Sequence, residues 1–475
     1  MIRVSNNEND TEKSCQPLRL LFHQKELLSR LNDESFPIYI CWGMGSGKTI
    51  GALMCMKILE TPGKVLIICD KSTTTQWQKE AEKVLHRNAK DFKEVEITII
   101  HYEFMEKDEA PSPQHFDMTI VDEAHRFRNA WHKESIRMLN WMDMILKCER
   151  VIFLSGTPIV HDAKIERDAF NKMMVRKNIS NRVFFYDPRT DAKSAKKYPK
   201  VTENDIFCHM SWAQCFLYMQ NRRQTFSIHL ENETECRTRV SSSKNTYNTM
   251  LRAISNNPFP SDPKTSPKFQ MILTQMTFCQ EKSQKQIVYS SRRDTGVKSL
   301  QSLWEYIGKK SSFQVTGDMS TNDRAINILK FNRCPSGVLF ITDAGGQGID
   351  LKRVDVVHIM EPAENIQDER QIINRAVRYK SHNLPDSHVD VYRYIIKFPV
   401  KGSVEYPWKK VLYESGMFHK DEMKGITRKV QYALKDLIRH EENNMSIDEK
   451  IIQTRNEREK SIQDELESIR RDALK

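Results

Sequence analysis

Short apolar runs alternate with longer amphipathic segments in two separate stretches of this chain. Between Ile38 and Leu154 the runs are Ile38–Ile40, Val65–Ile68, Ile97–Ile100, Met118–Val121 and Val151–Leu154. Most of the segments between them are long enough for a crossover helix. Strand-length runs that are apolar throughout belong to strands buried on both faces, and their alternation with helices predicts a parallel sheet. The pattern returns after Ser266, with Ile287–Tyr289, Phe313–Val315, Val338–Ile341, Val354–Ile359 and Val389–Ile396. The expected fold class is therefore α/β, with one lobe in residues 1–160 and a second in 266–400. No repeated sequence relates them.

Residues 161–265 separate the lobes. Lys164–Lys177 and Ala213–Gln220 have helical character, and the Asn/Pro/Ser-rich stretch Asn256–Pro267 reads as a linker. The last region, 401–475, turns strongly charged after Met417. Within it, Glu449–Leu474 predicts an amphipathic helix with Ile451, Ile452, Ile462, Leu466, Ile469 and Leu474 as its apolar positions, the profile of a packing brace.

Composition narrows the class. The chain has 475 residues, and its 39% hydrophobic content is ample for packed cores, which argues against wholesale disorder. No apolar run approaches the ~18 to 20 residues of a membrane span. Met1–Asp10 is polar and has no signal-peptide character. Ten cysteines occur, none in a Cys-x-x-Cys pair. The expectation is an intracellular protein with no membrane partner. The net charge of +11 is uneven: His161–Gln270 holds 19 Lys/Arg against 11 Asp/Glu. Such a surplus points to a polyanion partner, with a solvated basic surface as the plain alternative.

Chemistry enters with Gly45-Ser46-Gly47-Lys48-Thr49, which follows a predicted strand and opens a predicted helix. Glycines there let consecutive N–H groups face a phosphate, Lys48 neutralises its charge, and Thr49 ligates Mg²⁺. Trp42 stands where this loop pattern normally has Gly or Ala. Asp122-Glu123-Ala124-His125 ends a later strand, at the same sheet edge as the loop. Asp122 is placed to hold the Mg²⁺ shell and Glu123 to polarise an attacking water. Ser155-Gly156-Thr157-Pro158 ends the next strand, where its hydroxyls could sense the γ-phosphate or the acidic motif. In the second lobe, Asp343–Asp350 is a glycine-rich turn without a phosphate-loop lysine. Gln371–Arg378 reads as helix, with Arg375 and Arg378 three apart on one face. Taken singly, the last three motifs are a turn, a turn and a surface helix; their order gives them weight.

In this order the residues resemble the superfamily 2 helicases and translocases, over Leu18–Tyr394 and Ser446–Leu474. Leu18–Gln24, with His23-Gln24, resembles the adenine-contacting Q motif. The glycine-rich, acidic and Ser155 segments are similar to motifs I, II and III. Lys285–Ser290, Thr342–Leu351 and Gln371–Arg378 are similar to motifs IV, V and VI. Within the superfamily the likeness is to Swi/Snf-type translocases. Trp77 and Glu80 match their motif Ia helix, with Asp70 where a proline is usual. Met210-Ser211 with Gln214 and Tyr218, Gly317 with Arg324, Phe331-Asn332 and Ser446–Ile451 also fit. Arg375–His382 resembles the motif VI region of large-DNA-virus ATPases of the poxvirus nucleoside triphosphate phosphohydrolase I and early transcription factor small-subunit type, although Asn374 replaces a usual glycine.

The resemblance implies two RecA-like parallel-sheet lobes in tandem, a basic intervening segment and a C-terminal helical brace. ATP and Mg²⁺ are the implied cofactors. Gln24, Gly45, Ser46, Gly47, Lys48, Thr49, Gly348 and Asp350 would contact ATP, and Thr49 and Asp122 the metal. Lys48, Glu123, Arg375 and Arg378 would be catalytic. Trp77, Ser155, Thr157, Thr342, Gly345 and Gly346 would contact nucleic acid or couple to it. The implied activity is ATP-driven translocation on duplex DNA in viral transcription. The alternatives are RNA duplex unwinding and a nucleotide-gated assembly factor that displaces no strand. RNA polymerase or another transcription factor is the implied protein partner, and a viral protein would occupy the virion and host cytoplasm.

Overall fold

The computed structural model describes residues 1–5, 17–32, 35–43, 45–59, 63–88, 92, 94–105, 107, 110–127, 136–156, 159, 163–174, 182–187, 191, 195–222, 244–308, 311–343, 349, 351–378, 381–382, 387–400, 403, 434–435 and 445–473. They form two compact units, Met1–Lys197 with Glu457–Lys475, and Tyr198–Asn456.

The first unit contains β1 (Ile2–Ser5), α1 (Phe22–Ser29), β2 (Ile38–Trp42), α2 (Lys48–Met54), β3 (Gly63–Cys69), α3 (Thr74–Arg87), β4 (Val95–His101), β5 (Met118–Val121), α4 (Ile136–Leu146), β6 (Val151–Leu154), α5 (Ala163–Met174) and β7 (Val183–Tyr186). Its seven strands form one sheet in the order β1-β4-β3-β5-β6-β2-β7. Every pairing is parallel except that of β1, which runs antiparallel along β4. All five apolar runs predicted for this lobe are strands, and period-two geometry explains why they are apolar throughout. Ile38, Ile40 and Trp42 point into a core shared with Ala52 and Leu53 of α2 and Trp77, Ala81 and Val84 of α3. Tyr39 and Cys41 point into the opposite core, with Trp141 and Met142 of α4 and Phe170 of α5.

The second unit contains β8 (Lys200–His209), α6 (Trp212–Arg222), α7 (Lys244–Asn256), α8 (Pro267–Glu281), β9 (Lys285–Tyr289), α9 (Ser299–Tyr306), β10 (Ser312–Val315), α10 (Thr321–Arg333), β11 (Gly337–Ile341), β12 (Val356–Ile359), α11 (Ile366–Ala376) and β13 (His388–Lys397). Its six strands are parallel throughout, in the order β10-β11-β9-β12-β13-β8. The long helix α12 (Ile447–Ala473) begins in this unit and ends in the first, where Ile462 and Ile469 enter the core beside α4 and α5. The fold class is thus two RecA-like parallel-sheet lobes with a C-terminal helical segment.

The segment 161–265, whose fold the sequence left open, divides between the units. Strand β7 completes the first sheet beside β2, and β8 edges the second beside β13. Asn256–Pro267 is more than the linker expected from its composition. Asn256, Asn257 and Ser266 are buried; the Asn256 amide donates to Glu361 and accepts from Lys268, and the Asn257 amide nitrogen donates to the Ser299 hydroxyl. The Ser266 hydroxyl donates to the Asn256 carbonyl and accepts from Phe269 N–H, capping α8 ahead of Pro267.

Candidate active site

Strand β2 ends at Trp42, and α2 begins at Lys48 directly after Gly45–Gly47. Gly45 and Gly47 hold φ of 74° and 82°, a left-handed conformation that glycine adopts without a Cβ penalty. The loop backbone is gripped from α1. Gln24 Nε2 donates to the Gly47 carbonyl at 3.0 Å, and His23 Nε2 bonds the Ser46 carbonyl at 2.9 Å. A Cβ on Gly47 would lie 2.7 Å from Gln24 Nε2, so this grip also requires glycine. His23 stacks on Tyr186 at 3.7 Å between ring centroids and meets Trp42 edge-on at 4.5 Å. Burial lowers the His23 pKa, against the opposing effect of its Ser46 bond, and favours the neutral ring. The Trp42 departure has a local answer on α2: the ring is buried against Gly51, where a Cβ would fall 2.6 Å from it.

Lys48 Nζ donates to the Trp42 carbonyl at 2.9 Å, and Thr49 follows it in the first turn of α2. Among the described residues, the Ser46 hydroxyl is buried without a hydrogen-bond partner. Curled backbone, an ammonium held at the loop and an unused buried hydroxyl together fit a triphosphate.

The acidic motif lies just beyond β5. Asp122 N–H donates to Ile68, its Oδ2 accepts Trp77 Nε1 at 2.8 Å, and its Oδ1 accepts Glu123 N–H at 3.0 Å. Glu123 has φ of 47°, a strained value for a side-chain-bearing residue. The Tyr102 hydroxyl donates to the Asp122 carbonyl and bridges toward that of Glu123, which helps to hold the turn. Glu123 Oε2 lies 3.3 Å from His125 Nδ1 and accepts from the Ser155 hydroxyl at 3.4 Å. Ser155 Oγ is itself 3.1 Å from His125 Nδ1. Of the two contacts expected for Ser155, the structure shows the one with the acidic motif. Burial, with the neighbouring Glu123 charge, raises the Asp122 pKa. Burial acts upward on Glu123 too, but hydrogen bonding and charge from His125, with Lys48 and Ser155, outweigh it and hold Glu123 ionised.

Trp77 is 2% exposed, so its indole face is packed and its one polar atom is committed to Asp122. Asp70, standing where proline is usual, keeps a proline-like φ of −70°. Its carboxylate pairs with Arg126 at 2.9 Å, next to the acidic turn.

In the second unit, Thr342 follows β11 and is buried. Asp343 beside it accepts from the Tyr289 hydroxyl. Arg375 lies in the last turn of α11, but Arg378 does not continue that helix face. The helix ends at Ala376, with Val377 at φ −103° and ψ 79°. Arg378 instead folds back, Nε donating to the Asn374 carbonyl at 3.3 Å and Nη2 to the Ile349 carbonyl at 2.7 Å. It thereby satisfies a carbonyl of the helix's open end. Asn374 sits inside α11, where a glycine's conformational freedom is not needed. Thr157, Gly345, Gly346, Gly348 and Asp350 lie outside the described residues.

Sequence reading missed Tyr186, Tyr102 and the Asp70–Arg126 pair. Tyr102 carried a usable signal, being a polar aromatic directly after a strand that ends on the catalytic edge. Tyr186 carried none, because β7 falls in the basic segment.

Comparison with known proteins places family matches on both lobes. Residues 18–160 match the family described as type III restriction enzyme, res subunit, and residues 267–380 match the helicase conserved C-terminal domain. A putative ATP-dependent RNA helicase L538 of Acanthamoeba polyphaga mimivirus is 24% identical over 422 residues, 79% of this chain and 89% of that protein. The uncharacterized killer plasmid pGKL-2 helicase of Kluyveromyces lactis is 22% identical over 434 residues, 86% of this chain and 69% of that protein. A solved Sulfolobus solfataricus SWI2/SNF2 ATPase core in complex with dsDNA aligns over 89% of this chain and 96% of that one, at 16% identity and a TM-score of 0.32.

Proposed function

We propose that this chain, an ATP-hydrolysing superfamily 2 helicase/translocase enzyme of the Swi2/Snf2-like branch, couples ATP turnover to movement along the phosphate backbone of duplex DNA during viral transcription. One observation carries the coupling. The Trp77 indole on α3 hydrogen-bonds Asp122, so the motif Ia helix is tied directly to the carboxylate assigned to the metal. Lys71, Thr75, Gln76 and Lys79, on or just before that helix, are exposed and available to a phosphate backbone. A shift of α3 on its track therefore bears on the hydrolytic site, and the reverse.

In this reading Gly45–Thr49 takes the triphosphate and Gln24 the adenine. Lys48 exchanges the Trp42 carbonyl for phosphate oxygens. Thr49 and Asp122 would hold Mg²⁺, which when bound screens the phosphate charge. Glu123 orients the attacking water, with His125 and Ser155 keeping its carboxylate ionised and aimed. Arg375 and Arg378, carried by the second unit, stabilise the charge of the transferring phosphoryl group. Thr342, Thr157, Gly345 and Gly346 grip the backbone or relay its presence, and Gly348 and Asp350 contact ATP. Backbone contacts carry little sequence information, so sequence preference is weak. The basic segment adds affinity or docks a transcription partner such as RNA polymerase. No described helix is long and apolar enough to cross a membrane; the viral reading places the protein in the virion and host cytoplasm.

A second reading, action on RNA duplexes, is favoured by the name of the mimiviral relative. ATPase activity across duplex DNA, single-stranded DNA and RNA separates the two. Duplex DNA gives the largest stimulation, and raising salt from 50 to 200 mM lowers the DNA affinity behind it by about 10³ or more if at least ~6 phosphates are contacted. Stimulation by RNA alone selects the second reading, and a rate indifferent to every nucleic acid defeats both.

A further inference from the structure

Helix α12 touches the helix that carries Arg375, and it does so through buried charge. Glu369, in the first turn of α11, has a fully buried side chain. Its Oε2 accepts Arg455 Nη1 of α12 at 2.6 Å, and its Oε1 accepts Arg393 Nε of β13. Arg393 also pairs with Glu203 and Asp205 on β8. Arg393 is shared among Glu369, Glu203 and Asp205, so the buried Glu369 draws a second positive charge from Arg455. That guanidinium comes from 86 residues away along the chain, so the charge balance of the Glu369 end of α11 depends on α12 being seated.

The start of α12 is fixed firmly enough to deliver Arg455 to one place. Ser446 and Glu449 form reciprocal bonds that cap the helix. The Ser446 hydroxyl donates to the Ile396 carbonyl, and Ile447 N–H donates to the Tyr218 hydroxyl at 2.7 Å. Asp448 is wholly buried, accepting Ile396 N–H at 3.0 Å and Lys268 Nζ at 2.9 Å. From Glu369 to Arg375 is less than two helical turns, about 9 Å along α11. A displacement of the Glu369 end is carried to Arg375 by a single rigid element.

We infer that Arg455 and Glu369 are positioning residues for Arg375, so that seating of α12 sets how well the second unit contributes to ATP hydrolysis. This rests on the catalytic assignment of Arg375 made above. Chemically, Arg455 does not meet ATP; it acts through the placement of α11.

The test uses the full chain with R455A, R455K and R455M, the last keeping an apolar stem if the alanine variant does not fold. Nucleic-acid-stimulated kcat, KM for ATP and thermal melting are measured, together with R375A and the R375A/R455A double variant. R455A or R455M lowers kcat about 10- to 100-fold, the scale of a small misplacement of a reacting group. KM for ATP stays within about twofold. R455K restores most of the rate, and the double variant is no slower than R375A alone. A folded R455A or R455M with wild-type kcat overturns the inference, as does a double variant whose losses multiply. An R375A variant with wild-type kcat removes the underlying assignment instead, and the inference falls with it.

Discussion

Replacing Arg375 with alanine lowers nucleic-acid-stimulated ATP hydrolysis by about 10³- to 10⁵-fold, the range an arginine supplied to the transferring phosphoryl group is worth in nucleotide hydrolases. The residue sits in the last turn of α11, and the helix stays anchored at its other end through Glu369. Nucleotide binding, read with a fluorescent ATP analogue, changes little, because the lost interaction belongs to the transition state. R375K does not restore the rate, since an ammonium cannot reproduce the planar, forked donor set. R378A behaves differently. It removes bonds to Asn374 and Ile349 that close the end of α11, so it lowers the melting temperature as well as the rate. Equal melting temperatures and equal kinetic losses for the two variants would contradict this division of roles.

Replacing Glu123 with glutamine lowers turnover by about 10²- to 10⁴-fold, the usual contribution of a positioned acid–base group. The amide is isosteric and keeps an oxygen for the Ser155 hydroxyl. The Tyr102 contacts to the backbone of this strained turn do not involve the changed atoms. ATP affinity therefore stays near wild type, and the variant traps the nucleotide-bound state. Near-normal ATPase activity in E123Q removes Glu123 from the mechanism.

Sequence reading succeeded where the chemistry is local. Lys48 and Thr49 sit within one strand–loop–helix unit, and Asp122 and Glu123 end one apolar strand. Their types and spacing suffice to announce the site. The relations that tune it are long-range. Trp77 was visible as a motif residue, but its bond to Asp122 depends on α3 and β5 meeting. Asp448 and Lys268 are 180 positions apart and wholly buried, although their types belong on a surface. Strand β8 was hidden because its sequence, Lys-Val-Thr-Glu-Asn-Asp-Ile-Phe-Cys-His, mixes charges into an edge strand that pairs through backbone bonds. Periodicity puts Arg378 on a helix face but does not mark where a helix stops; here the stop comes at Val377, and the Arg378 side chain turns back onto the helix end.

Two departures from the helicase motifs that the sequence resembles are matched by compensation in the same lobe. Trp42 is accommodated because Gly51 faces it. Asp70 retains the backbone angle of the missing proline and adds an ion pair to Arg126. Neither could be judged neutral or damaging from its own position alone.

ATP-driven movement along duplex DNA is the proposed activity. It is tested most directly by displacement of a fluorescent third strand from a DNA triplex, with wild type and E123Q side by side. The account predicts ATP-dependent displacement by the wild type and none by E123Q. Robust DNA-stimulated hydrolysis with no displacement would contradict it, and would leave a nucleotide-gated clamp in its place.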